Sequence, residues 1–76
     1  MAYKGFPDVE AYVSFLVFDQ VRQEGDVITY EVVDRLDPAQ LPSRIVGVFD
    51  TEAEMYALRD DLRRKYATKL ELAVTR

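Results

Sequence analysis

Tyr12-Val13-Ser14-Phe15-Leu16-Val17-Phe18-Asp19-Gln20-Val21-Arg22 is the stretch on which the fold turns. Its β-branched and aromatic side chains favour a pleated, half-buried surface, so the reading carried forward is a strand over 12–22. The same residues admit a helix. Val9, Tyr12, Val13, Leu16, Val17 and Val21 fall on one stripe at helical spacing, and period alone does not settle a short apolar run. Read as a strand, the segment is apolar on both faces, with Val13, Phe15 and Val17 on one and Tyr12, Leu16 and Phe18 on the other. A helix layer would cover one face. Tyr12, Leu16 and Phe18 on the second are then expected either to meet a partner or a second copy, or to lie under the N-terminal arm. That arm, Met1 to Pro7, has no periodicity and holds Gly5 and Pro7, so it reads as a lead-in strand or ordered arm whose Tyr3 and Phe6 can dock on the core.

Outward from this stretch the elements follow in order. Gln23-Glu24-Gly25-Asp26 is a hairpin turn, since Gly25 accepts a positive φ at no steric cost. Val27 to Leu36 alternates Ile28, Tyr30 and Val32 against Thr29, Glu31, Val33 and Arg35, a strand whose polar face is expected to look outward. Asp37 to Ser43 contains two prolines and reads as a loop. Arg44 to Phe49 is a third strand, with Gly47 marking a bulge or a close approach. Thr51 and Glu54 then form a capping box, and Met55, Leu58, Leu62 and Tyr66 make the apolar stripe of a helix. Acid-before-base pairs, Asp60 with Arg64 and Asp61 with Lys65, are spaced to support it. Lys69 to Thr75 alternates Leu70, Leu72 and Val74 with more polar residues and reads as a last strand. The expected fold is a single α+β domain over 1–76, of two layers: an antiparallel sheet of about four strands with one helix on one face, in the order β-β-β-α-β.

Composition removes most chemistry. The 76 residues include no histidine, cysteine, asparagine or tryptophan, and acids outnumber bases fourteen to ten. Neither disulfides nor zinc can staple so short a chain, so its stability rests on packing, and self-association as a homodimer is one way to extend the core. No apolar run approaches the roughly 20 residues that span a bilayer, and no leader pattern opens the chain, which reads as cytoplasmic. Acid–base catalysis would fall to carboxylates, and Glu24/Asp26, Asp34/Asp37 and Asp60/Asp61 all sit at turns or on an exposed helix face. Ser14 and Ser43 lack a histidine base. Asp50, Glu52 and Glu54 are explained by capping rather than by a metal. No catalytic residue, cofactor or metal is expected, and the chain reads as a non-enzyme.

Charge points to a partner. Residues 1–43 hold eight acids against three bases, whereas residues 44–76 hold six acids and seven bases. The acids Asp19, Glu24, Asp26, Glu31, Asp34 and Asp37 are therefore expected to meet a basic protein surface, such as that of a nucleic-acid-handling complex, and to inhibit by occupying its nucleic-acid path. In size and charge the chain resembles small phage and mobile-element inhibitors, anti-CRISPR proteins among them. The alternative is a homodimeric structural or adaptor module that pairs through the aromatic segment. A third reading, direct nucleic-acid contact, would use Arg59, Arg63, Arg64, Lys65 and Lys69 near the end of the helix. The joint from Ile45 to Glu54 resembles that of three-strand-plus-helix DNA-binding domains of the AP2 and integrase-arm type. Those domains are basic and read DNA with the sheet, whereas the strands here carry Asp19, Glu31 and Asp34; the resemblance implies a shared joint without a shared function.

Overall fold

The structure, a computed structural model, describes residues 2–36 and 43–74. Its elements are α1 (Val9–Leu16), β1 (Val17–Glu24), β2 (Val27–Asp34), β3 (Arg44–Phe49) and α2 (Glu52–Val74). The strands form one antiparallel sheet in the order β1-β2-β3, so the α+β class holds with three strands in place of about four.

The first difference lies in the opening segment, where residues up to Leu16 are helical and only Val17 to Glu24 is a strand. The helical stripe won here because both ends of α1 are satisfied. Asp8 is extended, at φ −159°, and its Oδ1 accepts from the Ala11 amide at 2.8 Å, closing the N-terminus. Tyr12, Val13 and Leu16 are buried along one face. An eight-residue helix is marginal alone. Its last carbonyls are met from elsewhere in the chain: Arg63 of α2 donates to Val17 O at 2.8 Å and Ser14 O at 3.4 Å, and the Arg35 amide donates to Leu16 O at 2.7 Å. The backbone turns extended at Val17 and enters β1 with no loop between.

The β1–β2 ladder runs from Val17↔Asp34 to Glu24↔Val27, leaving Gly25 and Asp26 as a two-residue loop. Gly25 sits at φ +60°, the sign a type II′ hairpin turn asks of its first central residue. The register of β3 on β2 shifts between Val32 and Val33, a bulge beside Gly47. A Cβ at Gly47 would lie 2.4 Å from Leu58 Cδ2 and 2.8 Å from Phe49 Cε2, so α2 crosses β3 where there is no side chain to hold it off.

The second difference is at the other end. The expected strand over 69–75 is instead the last part of α2, helical to Val74, with Thr75 outside the described residues. No glycine or proline interrupts Glu52 to Val74, and Lys69-Leu70-Glu71-Leu72-Ala73 is made of strong helix formers. Leu70 falls four residues beyond Tyr66, so the stripe Met55, Leu58, Leu62, Tyr66 gains one more contact with the core. At the start of α2 the Glu54 amide donates to Thr51 Oγ1 at 3.4 Å, and the Thr51 hydroxyl donates to Glu54 Oε1 at 3.0 Å. The two side chains close on each other, and the glutamate does not reach back to the cap amide. Of the expected helix pairs, Asp61–Lys65 forms at 3.1 Å, while Asp60 turns to Arg59 instead of Arg64.

The core is Tyr12, Leu16, Val17, Val32 and Met55, with both helices on one side of the sheet. The N-terminal arm does dock. Tyr3 and Phe6 exchange backbone hydrogen bonds of 2.7 and 2.8 Å, and their rings stand edge-on to Tyr12 at 5.2 and 5.3 Å.

Candidate protein-binding surface

Strand pairing sorts the side chains into two faces. Val17, Asp19, Val32, Asp34, Val46 and Phe49 point toward the helices; Phe18, Gln20, Arg22, Thr29, Glu31, Val33, Ile45 and Val48 point away. No element among the described residues covers this second face. It is nonetheless apolar at both ends: Val27, Ile45 and Val48 are 63%, 48% and 59% exposed, and Phe18 is half-buried at the Ile45 end. A depression of about 300 Å³ opens between Phe18, Val33, Ser43 and Ile45.

The middle of this open face departs from the sequence reading, which had the polar side of β2 looking out to water. Glu31 is fully buried and Val33 is 5% exposed. β2 is the central strand, so neighbours on β1 and β3 roof its side chains over. Gln20 Nε2 donates to Glu31 Oε1 at 2.8 Å and an Arg22 Nη donates to Oε2 at 2.5 Å, so both carboxylate oxygens are taken and the charge is matched. At the edge near α1, the Arg35 guanidinium lies between the Phe15 and Phe18 rings, 4.4 and 4.7 Å from their centroids, with its Nε buried and unpartnered. The face therefore presents apolar groups around a neutralised centre, not a field of carboxylates.

The six acids expected to meet a partner separate accordingly. Asp19 lies on the helix side, bound by Arg59 at 2.7 Å, and that hydrogen bond holds its carboxyl below the usual carboxylate range. Asp34 is buried as well. Its Oδ1 accepts from the Leu36 amide at 2.6 Å, and its Oδ2 accepts from the Tyr66 hydroxyl. Asp37 lies outside the described residues. Among the described members of the six, Glu24 and Asp26, at the hairpin tip, are the exposed ones. Because Tyr30 pairs with Phe49, the hairpin runs on past the end of β3 toward the start of α2. Asp50, Glu52 and Glu54 are exposed at that start, so five carboxylates distant in sequence share one end of the molecule. This grouping was invisible without the register. Ile45 and Val48 were missed for a similar reason: only the bulge beside Gly47 puts both on the open face while sending Val46 to the core.

Of the apolar residues expected at an interface, Tyr12 and Leu16 are 4% and 5% exposed in the chain's own core, which leaves Phe18. The basic residues of the third reading are largely engaged. Arg59 holds Asp19 and Asp60, Arg63 caps α1, and Lys65 pairs with Asp61, while Arg64 and Lys69 are exposed. Burial depresses the Arg63 pKa from its ordinary value, consistent with that inward placement. Among the described residues no group of three acids could hold a metal, and no helix is long and apolar enough to cross a membrane.

The Asp34–Tyr66 contact joins β2 to α2 and is titratable. Burial first, and the bond to Asp34 second, push the Tyr66 hydroxyl up from 10.0 to about 12. A raised folded pKa stabilises fully below the unfolded value, and that contribution is lost as pH rises from about 10 through about 12. Tyr66→Phe leaves Asp34 with one donor fewer and is expected to cost about 1–3 kcal/mol at neutral pH. Urea denaturation from pH 8 to 12 checks both points, because the variant should lose less stability across the upper window than the parent.

Comparison of the chain with protein-family models, with curated proteins and with solved structures finds no match.

Proposed function

We propose that this protein is a non-enzymatic binding module that acts by docking the open face of its sheet on another protein. The observation that carries the reading is a sheet covered by helices on one side only, whose other side leaves Val27, Ile45 and Val48 in solvent around a charge-matched Glu31. Apolar side chains of this kind are costly to leave wet, and an interface recovers them. The acids at the adjoining end, Glu24, Asp26, Asp50, Glu52 and Glu54, favour a partner with basic groups beside its apolar contact and would speed the encounter more than they strengthen the final complex. Basic surfaces are what nucleic-acid-handling proteins offer, so inhibition by occupying such a surface is the form of action that best fits the charge. The contact acids in this reading are those of the exposed end, in place of Glu31 and Asp34.

The test uses the tagged protein, Val48→Glu and Glu24→Lys/Asp26→Lys on a nuclease-treated lysate at low and raised salt, with recovered proteins identified by mass spectrometry. All altered side chains are exposed, so the fold should persist and circular dichroism can verify it. Val48→Glu is expected to lower recovery of a specific partner at least tenfold, about 1.4 kcal/mol. The double reversal should remove the salt-sensitive part of binding. Unchanged recovery with folded Val48→Glu overturns the assignment of the face, and recovery of the bait alone, migrating as a dimer, moves the face to self-pairing.

A further inference from the structure

A separate cleft lies on the helix side, away from the open face. Its walls are Tyr12, Leu16, Leu36 and Leu70, and it is an open cleft of about 330 Å³, the lower end of the range of small-molecule pockets, about 300–1,000 Å³. Lys4 and Lys69 stand at its rim. The Lys4 ammonium is held over the Tyr12 ring, 5.4 Å from its centroid, and 5.9 Å from that of Tyr3. Among the described residues neither lysine has a carboxylate partner in an ion pair, whereas Arg22, Arg59 and Lys65 each do.

Two further observations converge on the same cleft. The described non-glycine residues at positive φ are Lys4 at 49° and Leu36 at 51°, and both line it. Left-handed backbone is disfavoured for a lysine and more so for a leucine, and such conformations gather where a site must be shaped. The charged side chains among its described lining residues are also both cationic, Lys4 and Lys69. Asp34 lies behind that lining, its two oxygens hydrogen-bonded by the neutral Leu36 amide and Tyr66 hydroxyl.

We infer that this cleft binds an amphipathic carboxylate, a medium-length alkyl chain lying between Tyr12, Leu16, Leu36 and Leu70 with its carboxylate at Lys4 and Lys69. Apolar walls with a few convergent polar groups are the general form of a ligand site, and paired ammonium donors at the mouth select an anionic head over a neutral or cationic one. The inference is independent of the protein-binding face, because no residue is shared between them.

Decanoate is the probe, titrated at submillimolar concentration into the full chain and followed by calorimetry and by ¹H–¹⁵N chemical shifts. Saturable binding is expected, with shifts centred on Leu16, Leu36 and Leu70, and with decanol or decyltrimethylammonium at least tenfold weaker. Lys4→Glu/Lys69→Glu should weaken decanoate at least tenfold while leaving the far-ultraviolet spectrum unchanged, since both side chains are exposed. Absence of saturable binding overturns the inference, as does equal affinity of the folded double variant or of decanol. Shifts centred on Ile45 and Val48 would overturn it too, by assigning the ligand to the open face.

Discussion

Truncation of Met55 to alanine is expected to destabilise the protein by about 2–5 kcal/mol, the range for removing a long apolar side chain from a packed core. Met55 is fully buried and belongs to the cluster that holds Tyr12 and Leu16 of α1 against Val17 of β1 and Val32 of β2. It sits in the first turn of α2, whose leading amides have no intrahelical acceptors, so that turn depends on its packing against the sheet to stay ordered. At about 0.05–0.15 kcal/mol per residue, a chain of this length has a total stability of only about 4–11 kcal/mol. A loss of that size should appear as a large fall in the urea midpoint with little change in slope. A cost under about 1 kcal/mol would mean that the helix and sheet are not joined through this residue.

The second large effect is a contrast between one substitution and two. Arg22→Ala removes the guanidinium that holds one oxygen of fully buried Glu31, leaving only the Gln20 amide on the other. Breaking one side of an enclosed pair costs about 3–5 kcal/mol when water stays out. Here the Arg22 side chain is 54% exposed, so water reaches the vacated position and the expected cost falls to about 1–3 kcal/mol. Replacing both groups, as Arg22→Met/Glu31→Leu, removes the desolvated charge together with its partner. That variant should lie within about 1 kcal/mol of the parent, or above it. Urea denaturation of the parent, both single variants and the double variant gives the coupling, expected to exceed about 1 kcal/mol. A double variant as unstable as the sum of its parts would show that Glu31 is held by packing alone. The contrast also bears on the binding face, since the double variant makes its centre apolar without exposing a charge.

The hairpin, the third strand and the start of the second helix were legible in the residues, because each rests on neighbours in sequence. Gly25 supplies the positive φ of its turn, Arg44 to Phe49 is bounded by its loop and by the Thr51 cap, and Met55 to Tyr66 repeats at helical spacing. Gly47 announced both things it turned out to mark, a bulge and the crossing of α2. The two ends of the chain were harder. Val9 to Leu16 satisfies strand and helix alike, and the tie was broken by Asp8 at one end and by Arg63, nearly fifty positions away, at the other. Asp8 following Pro7 was a readable cap signal; Arg63 was not, since nothing local links it to Val17. Lys69 to Val74 alternates like a strand, yet its helix formers continue an uninterrupted helix, and the sheet of the described residues is complete as β1-β2-β3 without it.

The candidate surface follows the same division. Composition and charge, which need no geometry, excluded histidine, cysteine and disulfide chemistry and pointed to contact with another molecule. Which acids meet water depended on pairing across strands. Glu31 is enclosed because β2 is central, Asp34 because α2 brings Tyr66 over it, and Glu24 and Asp26 stay exposed because the hairpin overruns β3. Local propensity acts over a few residues and so can be read along the chain. Burial and charge matching depend on side chains brought together from distant positions, and only the folded arrangement of sheet and helices fixes them.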